Sequence, residues 1–386
     1  MKLGTKKTRP AHACFRRLFA WMLVLALPLL GACADGGSDG RDRPEVGPEP
    51  DPVPFQEIYD QGVLRYLGQY TPMLSEQVDD LVTHTFGTGD GPQCLYGAPY
   101  SMSTRDAGSE NLVIFLKDGG GCWSEFCAAS SEADPVYIKA GILDPERANN
   151  PVKDWNVAYL PYCDGGLHAS DKDNDYDGDG TPETFQRGLH NLSASLDIAV
   201  NTFPSPRRIL LAGQSGGGFG TDFALPLVRS LYPGIPIDVI NDSGVGVGRP
   251  GQPEFLELLV DDFNLGAFIP ASCTDCLAEN GHFTNYHIWQ MDQDPEVHRG
   301  MLSYSRDSTI ADFFLMIGQD AFEAALFEEM PKLDAAHPGR SHYWIPAGDG
   351  HVFLQPTPDL TAGGVVLMDW VGFMLDRSDE WVSVQD

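Results

Sequence analysis

Short apolar runs rich in β-branched residues alternate with longer amphipathic stretches along most of this chain. The short runs are Leu112-Val-Ile-Phe-Leu116, Asn156-Val-Ala-Tyr-Leu160, Ile209-Leu-Leu-Ala212, Ile237-Asp-Val-Ile240 and His342-Tyr-Trp-Ile345. Helical periodicity is suggested around 183 to 203, 219 to 231, 311 to 326 and 365 to 375. Buried strands separated by helices form a mostly parallel sheet, because a parallel neighbour is reached only by a crossover that packs back onto the sheet face. The expected fold class is therefore α/β, α/β-hydrolase-like, with a mostly parallel central sheet flanked by helices. Residues 250 to 300 break the rhythm, are rich in aromatics and Cys, and fit a cap inserted over the C-terminal edge of the sheet, where open α/β sheets bind ligands.

The N-terminus follows another pattern. Residues 1 to 32 contain six Lys or Arg and no acid, then an apolar core from Phe19 to Leu30 that is too short to span a bilayer. This reads as a secretion signal. It ends in Leu30-Gly-Ala-Cys33, a sequence similar to the bacterial lipobox, in which the cysteine is diacylated. Cys33 is thus the expected lipidation site, and the protein an exported lipoprotein held on the cell envelope, facing the periplasm or the exterior, by lipid rather than by a spanning helix. Residues 33 to 54 are mostly Gly, Pro, Asp and Glu and cannot bury a core, so they read as a disordered linker. The remainder, 55 to 386, is long enough for a large core and is expected to be one domain.

Composition narrows the partners. With 25 basic against 55 acidic side chains the formal net charge is −30, and the signal removes bases only. Nucleic acid is a poor partner for such a surface. Of the eight cysteines, six lie beyond Cys33: Cys94, Cys122, Cys127, Cys163, Cys273 and Cys276. In an exported protein these are expected to form disulfides, with the pairing left open by spacing alone.

The chemistry centres on Gly213-Gln-Ser-Gly-Gly217, which follows one apolar run and enters a helical stretch. A sharp strand-to-helix turn of this kind exposes a serine under strain, with glycine on either side to avoid clashes. Ser215 is the expected nucleophile. A serine hydroxyl needs an imidazole base and a carboxylate that fixes the imidazole. His351 lies in a Gly-flanked loop after the strand His342 to Ile345, and Asp307 ends the strand-like segment from Met301. Asp242 and Asp349 compete for the acid role, and His342 reads as a packed histidine. Oxyanion donors are expected from the Gly triplet after Leu116 and from the residue after the nucleophile: Gly120, Gly121 and Gly216.

Five ordered blocks are similar to the pectin acetylesterase family, which also includes an animal carboxylesterase. They are Cys94-Leu-Tyr-Gly-Ala-Pro, Asp118-Gly-Gly-Gly-Cys-Trp123, Tyr162-Cys-Asp-Gly165 with Phe185-Gln-Arg-Gly188, Gly213 to Gly217, and Tyr304-Ser-Arg-Asp307. The chain departs from the family pattern in an inverted Cys-Trp, in Gln214 before the nucleophile and in Gly216 after it. The resemblance implies Ser215 as nucleophile, Asp307 as acid and His351 as base. It also implies hydrolysis of short acyl esters, chiefly acetyl groups on polysaccharides, with no cofactor needed for catalysis. Two alternatives stand beside it. One is a lipid or long-chain ester deacylase with an apolar pocket around Phe263, Phe268 and Trp289; the other is a non-catalytic glycan-binding lipoprotein. Finally, Asp173, Asp175, Asp177 and Asp179 alternate around Gly178 in a partial calcium-loop rhythm, so a structural calcium ion is a further expectation.

Overall fold

A computed structural model describes residues 53 to 386, apart from 138, 176, 177 and 278. The signal segment, Cys33, the linker as far as residue 52, and Asp177 lie outside the described residues. A ten-stranded sheet organises the rest. In chain order its strands are β1 (Leu74–Val78), β2 (Leu81–Thr85), β3 (Ser101–Arg105), β4 (Asn111–Leu116), β5 (Asn156–Leu160), β6 (Arg208–Gln214), β7 (Ile237–Asp242), β8 (His298–Leu302), β9 (Ser341–Ile345) and β10 (Val384–Gln385). In space they run β1-β2-β3-β5-β4-β6-β7-β8-β9-β10. From β5 to β10 all neighbours are parallel, while β1, β2 and β3 pair antiparallel along one edge. The mostly parallel sheet flanked by helices is that of an α/β-hydrolase-like fold.

The five short runs read from the sequence are all sheet strands, and most of their positions are apolar on both sides because both sheet faces are covered. In β6, Ile209 and Leu211 enter one core while Leu210 and Ala212 enter the other. Each of the leucines and the isoleucine contributes roughly 1.5 to 3 kcal/mol by leaving water. Helices Gly188–Thr202, Gly216–Leu231 and Gln319–Ala336 pack on the first face, and Leu367–Asp376 packs on the second.

Two expectations on elements need correction. The periodicity at 311 to 326 covers two elements: a π-helical turn, Thr309–Phe314, and a separate helix that starts only at Gln319. Met316 and Gly318, both at positive φ, break the run between them. The span from 250 to 300 is more regular than its composition suggests, with helices Pro253–Asp262 and Thr284–Gln293 inserted between β7 and β8. The six cysteines pair as Cys122–Cys127 and Cys273–Cys276, both local, and as Cys94–Cys163, which spans 69 positions.

Strand order fixes where a site can form. β4 leads away to β5 on one side and β6 leads to β7 on the other, although β4 and β6 are neighbours. Their C-terminal loops therefore diverge and leave a crevice at the switch point. Register then brings the loop starts level. Leu116 faces Gly213 across one pair, and Gln214, Asp242, Leu302 and Trp344 face one another in turn across the next three.

Candidate active site

Ser215 follows β6 directly and precedes the helix Gly216–Leu231, with φ 52° and ψ −119°. A non-glycine residue in the left-handed half of φ space is strained and persists only where its surroundings enforce it. Two contacts enforce this turn. The Ser215 N–H donates to the Asp242 carbonyl at 2.7 Å, extending the β6–β7 ladder by one bond. Gly217 comes so close to β4 that a Cβ there would stand 2.2 Å from the Leu116 carbonyl oxygen, so only glycine fits.

The Gly triplet after β4 forms the opposite lip. Gly120 has φ 81°, and a Cβ on it would lie 2.0 Å from the Ala128 carbonyl oxygen. Gly120 and Gly121 open a small hairpin, Gly120–Trp123 against Phe126–Ala129, joined across its strands by the Cys122–Cys127 disulfide. The Cys122 N–H also donates to the Gly165 carbonyl at 2.7 Å, which ties the lip to the loop after β5. Gly120, Gly121, Ser215 and Gly216 line one pocket. Its other walls are mostly apolar: Phe126, Leu167, Phe219, Ile310, Phe313 and Phe314. The sequence reading did not place Leu167 or the Thr309–Phe314 turn in the site.

Beyond β8 and β9, the loops carrying Asp307 and His351 meet. His351 Nδ1 lies 2.7 Å from Asp307 Oδ2, with the carboxylate fully buried. The other carboxylate oxygen accepts the Ile310 N–H at 3.0 Å, so Asp307 also holds the start of the π-helical turn whose phenylalanines wall the pocket. Burial pulls the His351 pKa down. The hydrogen bond and charge of Asp307, helped by the charges of Asp242 and Asp118, push it up by more, and the imidazole ends above its ordinary 6.5. Among the described residues the His351 side chain hydrogen-bonds to Asp307 and not to Ser215. Nucleophile and base are nonetheless held by adjacent residues of β7 and its loop: the Ser215 N–H binds the Asp242 carbonyl, and the Val352 N–H binds Ser243 Oγ at 3.2 Å. Catalytic hydrogen bonds are often closed only when substrate is bound.

The other carboxylates considered from the sequence stand apart from the imidazole's hydrogen bond. Asp349 is exposed, and its backbone carbonyl accepts Ser308 Oγ at 2.8 Å. Asp242 is fully buried and is held by other partners, described below. His342 sits in β9, 3.2 Å from Ser383 Oγ and 3.1 Å from Asp334. In the acidic loop, Asp173 is engaged by Arg187 through Nε at 2.9 Å and Nη2 at 2.6 Å. Asp175 accepts the Gly178 and Gly180 amides at 2.7 and 2.8 Å. Among the described residues no three His, Cys, Asp or Glu side chains cluster to hold a metal ion.

Ser215 stands strained on a strand-to-helix turn and lines one pocket with the glycine-rich lip, while the carboxylate-bound imidazole of His351 is carried on a loop beyond β9. A family model described as pectinacetylesterase matches residues 82–294, and the chain belongs to the pectinacetylesterase family. The family is one of carboxylic-ester hydrolases, so the comparison supports acetylesterase activity on polysaccharides at that level. No curated protein matches the chain significantly.

Proposed function

We propose that the protein is an exported, lipid-anchored serine carboxylesterase that removes short acyl groups, chiefly acetyl, from a polysaccharide. The observation that carries this reading is the Asp307–His351 pair, whose loop shares its anchoring strand end with the turn that strains Ser215. In the reaction Ser215 Oγ attacks the ester carbonyl while His351 Nε2 takes its proton. Asp307 keeps the imidazole in the required tautomer and stabilises the imidazolium. The tetrahedral oxyanion accepts hydrogen bonds from the Gly120, Gly121 and Gly216 amides, each such donor being worth roughly 3 to 4 kcal/mol in comparable sites. His351 returns the proton to the departing sugar hydroxyl, and water hydrolyses the acyl-enzyme by the same steps.

Ser215→Ala, assayed on a chromogenic acetyl ester and on acetylated xylan, tests the reading. The expected result is a kcat lower by about 10⁴-fold or more with the fold intact. Retained turnover would remove Ser215 from the mechanism. A glycan-binding lipoprotein without catalysis would instead give no Ser215-dependent turnover in the wild type. Anchoring is tested separately: Cys33→Ser releases the protein from the envelope fraction if diacylation holds it there.

A second reading is favoured by one observation, the nature of the acyl pocket. Its walls Leu167, Phe219 and Phe314 are shared with a second, narrow cavity lined with hydrocarbon from residues that include Phe223, Phe255, Leu259 and Phe283. An acyl chain longer than acetyl gains roughly 0.8 kcal/mol for each methylene buried there. Phe263, Phe268 and Trp289, expected from the sequence to form such a pocket, are buried in the core and do not line either cavity. Acetate, butyrate, octanoate and palmitate esters of one alcohol separate the two readings by where kcat/KM peaks.

A further inference from the structure

We infer that Asp242 is a positioning residue whose buried side chain holds the His351 loop in register with the Ser215 turn. The inference rests on the assignment of Ser215 and His351 proposed above. Asp242 ends β7, is fully buried, and makes no hydrogen bond to the imidazole. One of its oxygens, Oδ2, accepts the Phe353 N–H at 2.7 Å and the Leu354 N–H at 2.9 Å, with Gln214 Nε2 at 3.2 Å. Its backbone carbonyl accepts the Ser215 N–H at 2.7 Å. A single residue thus grips the nucleophile turn by its main chain and the base loop by its side chain.

A buried carboxylate is costly unless its hydrogen bonds offset the loss of water. Burial pushes the pKa of Asp242 up to about 6, against the amides of Leu354 and Phe353, Gln214 and the charge of His351, which pull it down. What the position provides is restraint of strain. Val352 stands at φ 57°, where a β-branched residue is a true outlier, and Ser243 and Ser215 stand at 63° and 52°. Three strained residues meet around Asp242, and strain of this kind lasts only where the surroundings over-determine it. Ser243 adds a second tie, accepting the Val352 N–H at 3.2 Å and donating to Asp242 Oδ1 at 3.3 Å.

The test compares Asp242→Asn, Asp242→Ala and Ser243→Ala on a chromogenic acetyl ester, with thermal melts on each. Asn keeps a carbonyl oxygen where Oδ2 receives both amides, so it is expected to hold kcat within about 3-fold of wild type. Ala frees the loop and is expected to lower kcat by about 10- to 100-fold with KM little changed, the scale of an ångström-sized misplacement of a catalytic group. Ser243→Ala removes only the outer tie, and its kcat is expected to fall severalfold, again with KM held. A folded Ala variant with wild-type kcat overturns the inference, as does an Asn variant that loses as much as Ala, since charge rather than grip would then be the cause. Should Asp242→Ala fail to fold, Asn and Ser243→Ala decide by the same criteria. Ser215→Ala run alongside keeps the two proposals apart: activity surviving in that variant defeats the catalytic assignment, whatever Asp242 does.

Discussion

At the residue scale, under the proposed assignment of His351 as general base, its imidazole sets the pH behaviour. As a general base it must be neutral, so kcat/KM falls as pH drops through its pKa. That pKa lies above the ordinary value because Asp307 outweighs burial. The lower limb of the pH profile is therefore expected above the midpoint of a free imidazole. Asp307→Asn removes the hydrogen-bonded charge and leaves burial, so the limb should move to lower pH while kcat falls by about 10⁴-fold. Rates measured from about pH 5 to 8 check both, in the range where imidazoles change charge. An unmoved limb would assign the titration to another group. The strained turn at Ser215 was legible in the sequence because its backbone requirement is written in its neighbours, above all Gly217, where only glycine tolerates the close approach to Leu116. The work of Asp242 was not legible, since its side chain acts on amides 111 and 112 positions away and no local pattern encodes that.

At the scale of elements, strands were easier to read than what surrounds them. Runs such as Ile209 to Ala212 are apolar on both faces, a signal that survives without tertiary information. The edge strand Leu74–Val78 is exposed at every position and carries no alternation to detect. The π-helical turn depends on Asp307 capping Ile310, a tertiary fact. Two predictions belong here. Gly217→Ala forces a methyl against the Leu116 carbonyl and is expected to cost about 2 to 3 kcal/mol, seen as a lower melting temperature together with lost labelling of Ser215 by a fluorophosphonate. Behind the turn, Asp222 of the helix Gly216–Leu231 is fully buried between Arg299 of β8 and His287 Nε2, the latter at 2.9 Å. Replacing Arg299 by Leu leaves a buried carboxylate without one of its two charged partners and is expected to cost about 3 to 5 kcal/mol. Burial raises the Asp222 pKa, but His287 and Arg299 lower it by more. The group thus stabilises the fold above its unfolded value, and that contribution is lost as pH falls through the depressed folded value. Urea melts at neutral and acid pH should show the wild type losing stability on acidification and the Arg299 variant losing less.

For the whole molecule, charge and pocket point to the kind of polymer that can be served. The chain carries a formal net charge of −30, while among the described residues no ionisable side chain lines the pocket beside Ser215. A neutral acetylated glycan meets neither attraction nor repulsion at such a surface. An acidic, partly acetylated polygalacturonate is repelled over distances of about 10 Å at 0.1 M salt, and by less as salt rises. Its rate of hydrolysis at subsaturating concentration is therefore expected to climb severalfold as sodium chloride is raised from about 10 to 200 mM, as screening shortens the field. A small uncharged acetyl ester in the same buffers controls for effects of salt on the catalytic groups and should stay level. If the acidic polymer is hydrolysed equally well at both ends of the series, acidic side chains do not govern its approach, and a cationic groove or bound cations must guide it. If its rate climbs but acetylated xylan at low salt still turns over faster, the natural substrate class is the neutral one.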